Sequence, residues 1–91
     1  MFLGKRIKEL RDEKHLLQRQ LAAELEIDTP MFSKIERGER RAKREQVLRL
    51  AELFDVNEEE LLTLWLASQV YELLKDEKLA KDALNVVESK L

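Results

Sequence analysis

Small, polar and basic side chains are concentrated just after a predicted sharp turn at residues 26–28. Five of them are candidates for contact with the edges of DNA bases: Thr29, Pro30, Met31, Ser33 and Lys34. Ser and Lys side chains can hydrogen-bond to base edges, and the methyl groups of Thr and Met can contact the methyl group of thymine. The alternative is that these are ordinary surface residues of a helical hairpin.

Two sets of residues around this stretch suit contact with phosphate groups. Gln18 and Arg19 lie at the predicted start of a helix, where free backbone N–H groups attract anions. A basic set follows the stretch directly, in and beside a connector without regular apolar spacing: Arg37, Arg40, Arg41, Lys43 and Arg44. Without a DNA-binding motif, a solvated run of charges would be the simpler interpretation of this second set.

Reactive groups suited to catalysis are few. The sequence has no Cys, and its one histidine, His15, lies among polar residues at a predicted helix end. It has no glycine-rich phosphate loop and no metal-binding His spacing. The carboxylates of residues 58–60 stand at a helix start, where they complement the helix dipole. We therefore predict a protein that is not an enzyme and that binds neither a metal nor a cofactor.

Apolar residues at helical spacing predict an all-α chain of six helices. Helix 1 ends near residue 15, helix 2 covers about 17–26, helix 3 about 29–37, helix 4 includes 47–54, and helix 5 runs from about 58 to 75 before a terminal helix 6. Asp28 is predicted to cap helix 3, and if Pro30 is the second helical residue the cap must bond the N–H of Met31, because Pro30 has no N–H. Asn57 and Glu60 have the spacing of a capping box.

Charge is distributed unevenly along the chain. Residues 1–50 carry 13 Lys or Arg against 9 Asp or Glu, whereas residues 51–91 carry 4 against 10. The net charge of −2 therefore hides a basic half and an acidic half, and all eight arginines lie in the basic half. Such asymmetry favours a polyanionic partner on one side of the molecule. Chance segregation of solvated charges is the alternative.

A set of residues between Leu3 and Leu62 reproduces a known family pattern. Its members are Ile7–Arg11, Leu16, Gln18, Leu21–Ala22, Leu25, Ile27, Ser33–Gly38, Leu50–Ala51, Phe54 and Leu61–Leu62. With them, nearly two-thirds of the chain resembles the five-helix DNA-binding domain of the phage repressor/Cro family, also called the XRE family. The most specific part is the Ser-Lys-Ile-Glu-Arg-Gly run, at the correct distance after Gln18.

The resemblance implies roles for individual residues. Helix 3 would enter the major groove, with the positions of Thr29, Pro30, Ser33 and Lys34 facing the bases. The position of Gln18 would bind a phosphate, and the arginine-rich connector would touch the sugar-phosphate backbone. An ion pair between Arg11 and Glu36 would hold helix 1 to helix 3.

The sequence also departs from the family pattern. Leu17 replaces the small residue that often precedes the family's Gln, so helix 2 lacks a hydroxyl cap. His15 and Glu26 stand where Gly is common. Pro30 and Met31 replace polar residues at positions that often read bases, so the target sequence is not carried over.

Helix 5 has more apolar surface than one core-facing stripe requires. We therefore divide the chain into a DNA-binding domain at residues 1–66 and a helical extension at 67–91 that forms a homodimer. The candidate dimer contacts are Trp65, Val70, Tyr71 and Leu74. A two-fold dimer would bind a pseudo-palindromic operator. The alternative is that helix 6 folds back over helix 5 within one chain.

The predicted function is a sequence-specific, double-stranded DNA-binding regulator of transcription, of the repressor or controller type. No run of about 20 apolar residues is present, so we expect a soluble protein of the bacterial cytoplasm or nucleoid, without a membrane partner. One alternative is an antitoxin that binds a protein partner through the C-terminal helices. Another is an adaptor that keeps the fold without binding DNA. No effector pocket is predicted.

Overall fold

The computed structural model describes residues 2–91, and these residues form six α-helices with no β-strand among them. The helices span Phe2–Glu13 (α1), Gln18–Glu24 (α2), Thr29–Glu36 (α3), Arg44–Phe54 (α4), Glu58–Leu74 (α5) and Ala80–Glu88 (α6). The predicted all-α fold with a long helix 5 and a terminal helix is confirmed. None of the helices within residues 2–91 is long and apolar enough to cross a membrane.

One hydrophobic core lies beneath the first five helices. Side chains with no exposed surface form its centre: Ile7 from α1, Phe32 from α3, Val47, Leu50 and Phe54 from α4, and Leu61 from α5. Helix α2 adds Leu21 and Ala22, which are also buried. Each fully buried Leu, Ile or Phe side chain stabilises the fold by about 1.5–3 kcal/mol. Helix α3 is thus held by its apolar face, and its opposite face is exposed.

Side-chain hydrogen bonds at the helix starts fix where α2 and α3 begin. Asp28 Oδ1 accepts a hydrogen bond from the N–H of Met31 at 2.7 Å, and Pro30 is the second helical residue, as predicted. Helix α2 has no hydroxyl cap, since Leu17 is its cap residue. Instead, the Oε1 atom of Gln20 accepts a hydrogen bond from the N–H of Leu17 at 2.7 Å. One otherwise free donor at the start of α2 is satisfied in this way.

Helix α5 begins with a different arrangement from the one predicted. The Oδ1 atom of Asn57 accepts the N–H of Glu59 at 2.7 Å, so Asn57 does cap the helix. The predicted capping box with Glu60 is wrong. The Glu60 carboxylate accepts a hydrogen bond from Nε of Arg6 at 2.7 Å and so pairs α5 with α1.

The first four helices end with a residue in the left-handed conformation. These residues are His15 (φ 55°), Glu26 (φ 58°), Gly38 (φ 79°) and Asp55 (φ 55°). After α2, the N–H of Ile27 bonds to the carbonyl of Ala22 at 3.0 Å and that of Glu26 to the carbonyl of Ala23 at 3.1 Å, which is the Schellman motif. Glu26 and His15 therefore stand where Gly is common because the backbone there has a positive φ.

Helix α5 has two halves with different surroundings. It is 17 residues long, or about 25 Å at the usual rise of ~1.5 Å per residue. Its first half packs into the core through Leu61, whereas Leu66, Val70 and Leu73 in its second half are exposed. Helix α6 contains no buried residue. The alternative in which helix 6 covers helix 5 within one chain is therefore not the arrangement observed.

Candidate nucleic-acid interface

Helices α2 and α3 pack against each other across the turn at residues 25–28. Thr29, Pro30 and Lys34 are exposed on α3, and Ser33 lies half-buried beside them. Met31 differs from these four candidates because it packs against the core and is half-buried. The exposed surface of α3 therefore brings together four of the five candidate base-reading residues.

A hydrogen-bonded group of three side chains fixes the position of α3. The guanidinium of Arg11 contacts both carboxylate oxygens of Glu36, through Nε at 2.9 Å and Nη2 at 3.0 Å. The predicted ion pair is thus present, and the hydrogen bond that Arg11 donates to Glu36 is the main reason that the pKa of Arg11 is raised. The Nε2 atom of Gln18 donates to Oε1 of Glu36 at 3.1 Å. One N–H of the Gln18 amide is left to donate outward.

Gly4 allows α1 to approach the end of α3 closely. A Cβ atom at this position would lie 2.1 Å from the carbonyl oxygen of Glu36 and 2.8 Å from its carbonyl carbon. No side chain fits there without movement of the backbone. Gly4 is therefore a positioning residue that was not identified from the sequence, where it reads as an ordinary member of an amphipathic helix.

Ser33 and Arg37 are linked at the exposed end of α3. The Nη1 atom of Arg37 donates to the hydroxyl of Ser33, and its Nε atom donates to the carboxylate of Glu39. The hydrogen bond from Arg37 lowers the pKa of Glu39 below its ordinary value of 4.5. Arg37 and Glu39 are both exposed, so a phosphate can replace Glu39 as the partner of Arg37 at little cost.

Several cations near α3 have no carboxylate partner within the part of the chain that the structure describes. They are Arg19, Lys34, Arg40, Arg41 and Lys43, all of them exposed. Their side chains are therefore available to an external anion without breaking an internal ion pair. This availability distinguishes them from Arg11, Arg37 and Arg49, whose charges are paired.

The connector between α3 and α4 is anchored by Trp65. The Nε1 atom of Trp65 donates to the carbonyl of Ala42 at 2.8 Å, and Ala42 is buried. Arg44 lies over the indole ring, with 5.1 Å between its Cζ atom and the ring centroid. Arg44 is the first residue of α4, so the connector ends one residue earlier than the sequence predicts. Its guanidinium is attracted to the ring by a cation–π interaction.

The four candidate dimer contacts have different surroundings. Trp65 is half-buried and packs against the core, so it already has a structural role within the chain. The ring of Tyr71 meets that of Phe2 edge-on, with centroids 5.5 Å apart. Leu74 is half-buried, and Val70 is 42% exposed. Val70 and Tyr71, each 42% exposed, are therefore the two candidates with exposed side chains.

The comparisons with known proteins agree with this geometry. A family model described as a helix-turn-helix domain matches residues 3–64, about two-thirds of the chain. Comparison with curated proteins and with solved structures gave no match. The matched segment contains α1 to α4 and the first part of α5, and therefore all residues placed around α3. The chain belongs to the helix-turn-helix domain family, which makes DNA its expected partner.

Proposed function

We propose that the protein is a sequence-specific regulator of transcription of the phage repressor/Cro (XRE) type, which inserts α3 into the major groove of double-stranded DNA. The observation that carries the proposal is that α3 packs on the core through one face and exposes Thr29, Pro30 and Lys34 on the other, with Ser33 half-buried beside them. A recognition helix needs such a fixed position, because base contacts tolerate little displacement.

The residues around α3 would hold the phosphate backbone. Gln18 keeps one amide N–H free while Glu36 accepts the other. Arg19 lies beside it, at the start of α2. On the other side of α3, phosphates would be bound by the exposed connector residues Arg40, Arg41 and Lys43. Arg37 would exchange Glu39 for a phosphate. In this assignment, Arg44 attracts the phosphates through its positive charge while its guanidinium lies over the Trp65 ring.

We further propose that residues 67–91 are a dimerisation element and that a second copy of the chain covers α6. Nine of the eleven large exposed apolar residues lie between Leu66 and Leu91. Residues 66–91 carry four Lys against five Asp or Glu, so two copies can meet here without strong charge repulsion. Residues 51–65 carry five acidic residues and no basic one, which makes them a poor surface for self-association.

Such a dimer would place two α3 helices about 34 Å apart, on the half-sites of a pseudo-palindromic operator. Selection of bound sequences from a random pool of duplex DNA tests the proposal. We expect enrichment of a sequence with two-fold symmetry and half-sites about one turn apart. A pool that stays unenriched, with a protein shown to be helical by circular dichroism, would contradict sequence-specific binding.

A protein partner is the second candidate, and the exposed apolar side chains of α6 favour it. An antitoxin would cover this surface with its toxin, and an adaptor would bind another protein without DNA. Co-purification from the native host separates these possibilities. A stoichiometric second protein that blocks self-association would favour the antitoxin, whereas a pure homodimer that retains operator DNA would favour the regulator.

A further inference from the structure

A cleft of about 240 Å³ lies between the connector, the start of α1 and the middle of α5. Residues 38–42 form one wall and residues 65–72 of α5 form the other. None of the residues assigned to base contact lines it. The cleft nevertheless shares Arg40 and Arg41 with the proposed phosphate-binding connector.

The inner part of the cleft is apolar. Leu3, Gly4 and Ile35 line it together with the ring of Trp65, whose N–H already donates to Ala42. Ser68 also lines the cleft, but its hydroxyl donates to the carbonyl of Leu64 at 2.9 Å and accepts the N–H of Leu3 at 3.3 Å. The polar groups of the inner part are thus satisfied by the protein, and the remaining surface suits an apolar body.

The rim of the cleft carries a surplus of positive charge. Two carboxylates line the rim, and each has its own cation: Glu39 pairs with Arg37, and Glu72 pairs with Lys75 Nζ at 3.0 Å. Arg40 and Arg41 have no carboxylate partner among residues 2–91. A bound molecule would therefore meet two uncompensated guanidinium groups, which prefer a carboxylate or another planar anion.

We propose that this cleft binds a small amphipathic carboxylate, with its apolar part against Leu3 and Trp65 and its anionic group against Arg40 and Arg41. The volume suits one ring with a short side chain, since a cavity of about 150 Å³ accommodates benzene. Binding is ionic and apolar and involves no covalent step.

The same site would regulate DNA binding, an extension that rests on the proposed function. A carboxylate held by Arg40 and Arg41 competes with DNA phosphates for the same guanidinium groups. The two ligands therefore weaken each other's binding by the same factor, which for coupled sites is typically about 5- to 150-fold. The protein would release its operator as the carboxylate accumulates.

Trp65 provides a direct measurement of ligand binding, because it is the only Trp of the chain and lines the cleft. The probe is phenylacetate, titrated into the full chain while Trp65 fluorescence is followed. Matched controls are phenethylamine, which carries the opposite charge, phenylacetamide, which is neutral, and acetate, which lacks the ring. We expect saturable binding of phenylacetate at least tenfold tighter than of any control. Equal responses to phenylacetate and phenylacetamide, or no saturable response, would overturn the proposal.

Two variants separate the cleft from a general effect of charge. Replacing both arginines (Arg40→Gln with Arg41→Gln) should remove the preference for phenylacetate over phenylacetamide. Arg19→Gln removes an exposed cation that does not line the cleft and should leave that preference unchanged. Loss of the preference in Arg19→Gln as well would show that the effect is not local to the cleft, and would contradict the proposal.

The regulatory part is tested with the operator obtained by selection. Saturating phenylacetate should weaken operator binding at least fivefold relative to the same concentration of sodium acetate. If phenylacetate leaves the affinity for the operator unchanged but still changes Trp65 fluorescence, the regulatory role is refuted and the ligand site stands. If selection enriches no DNA sequence, the proposed function fails, but the fluorescence titration still decides whether the cleft binds the carboxylate.

Discussion

The guanidinium of Arg11 and the carboxylate of Glu36 form a two-point ion pair that joins α1 to α3. The two hydrogen bonds are 2.9 and 3.0 Å long, and the two side chains are only 14% and 6% exposed. Because α3 is the proposed recognition helix, this pair connects the stability of the domain to the position of its base-reading face.

Arg11→Met should lower the free energy of unfolding by about 3 kcal/mol, because it leaves the Glu36 carboxylate buried without its partner. Urea unfolding followed by circular dichroism measures this loss. Lys8→Met is the matched control, since the Lys8–Asp12 pair on the same helix is exposed and should contribute less than about 0.5 kcal/mol. Equal effects of the two variants would contradict a special role for the buried pair.

Gly4→Ala should destabilise the protein by about 1–3 kcal/mol, the usual cost of overpacking. At most helical positions this exchange stabilises, by about 0.5–1 kcal/mol. Here the added Cβ would lie 2.1 Å from the carbonyl oxygen of Glu36. Thermal and urea unfolding measure the effect, with Lys5→Ala at the exposed neighbouring position as the control. A stabilised Gly4→Ala variant would show that α1 and α3 do not approach each other as described.

Glu26→Gly should stabilise the protein by about 0.5 kcal/mol. Glycine removes the left-handed backbone cost of about 1 kcal/mol, and part of this gain is offset by the greater freedom of the unfolded chain. Ala23→Gly, at an exposed helical position of α2, should instead destabilise by about 1 kcal/mol. Chemical unfolding of the two variants side by side would reveal the opposite signs. Destabilisation by both substitutions would argue against the left-handed turn.

Arg41→Ala and Lys34→Ala should affect DNA binding in different ways. Loss of the Arg41 phosphate contact should weaken binding to all sequences and reduce the salt dependence by about one unit of slope. Loss of Lys34 from the face of α3 should relax the preference at particular base pairs, at a cost of about 1–3 kcal/mol in discrimination. Fluorescence anisotropy with operator and random duplexes at several salt concentrations measures both. Equal losses on both kinds of DNA for the two variants would refute this division of roles.

Val87→Glu should convert a dimer of twice 10.8 kDa into a monomer. Val87 is 54% exposed on α6, and a carboxylate there would be buried in the proposed interface without a partner. Leu17→Glu is the matched control, because Leu17 is 49% exposed but lies far from α6 in the sequence. Sedimentation at micromolar concentration decides the matter. A wild-type protein that sediments as a monomer would refute the dimer at once.

Features that depend on neighbouring residues in the sequence could be predicted, and features that depend on distant ones could not. The cap at Asp28 and the end of α3 near residue 37 follow from local backbone chemistry and are present as expected. The Arg11–Glu36 pair, 25 residues apart, was expected only through the resemblance. Residues in a single sequence carry no direct sign of which distant group they meet.

Four features of the fold illustrate this limit. Position 4 has no room for a side chain because the carbonyl of Glu36 lies close to it, and Trp65 is held by its hydrogen bond to the carbonyl of Ala42. Neither contact can be recognised from the neighbouring residues in the sequence. Glu60 had the spacing for a capping box, yet Arg6 competes successfully for its carboxylate. The cleft beside the connector is formed by α1, α5 and the loop together, so no sequence pattern could indicate the proposed ligand site.

The uninterrupted course of α5 has a consequence for the operator. The helix runs from the core of the DNA-binding domain to the exposed apolar surface without a hinge. In a dimer built on that surface, α5 would fix the distance between the two half-sites and their relative rotation about the DNA axis. One inserted residue would turn the outer part of the helix by about 100° and advance it by ~1.5 Å. In such a dimer, the length of α5 would set the spacing of the operator, independently of the bases that α3 would contact.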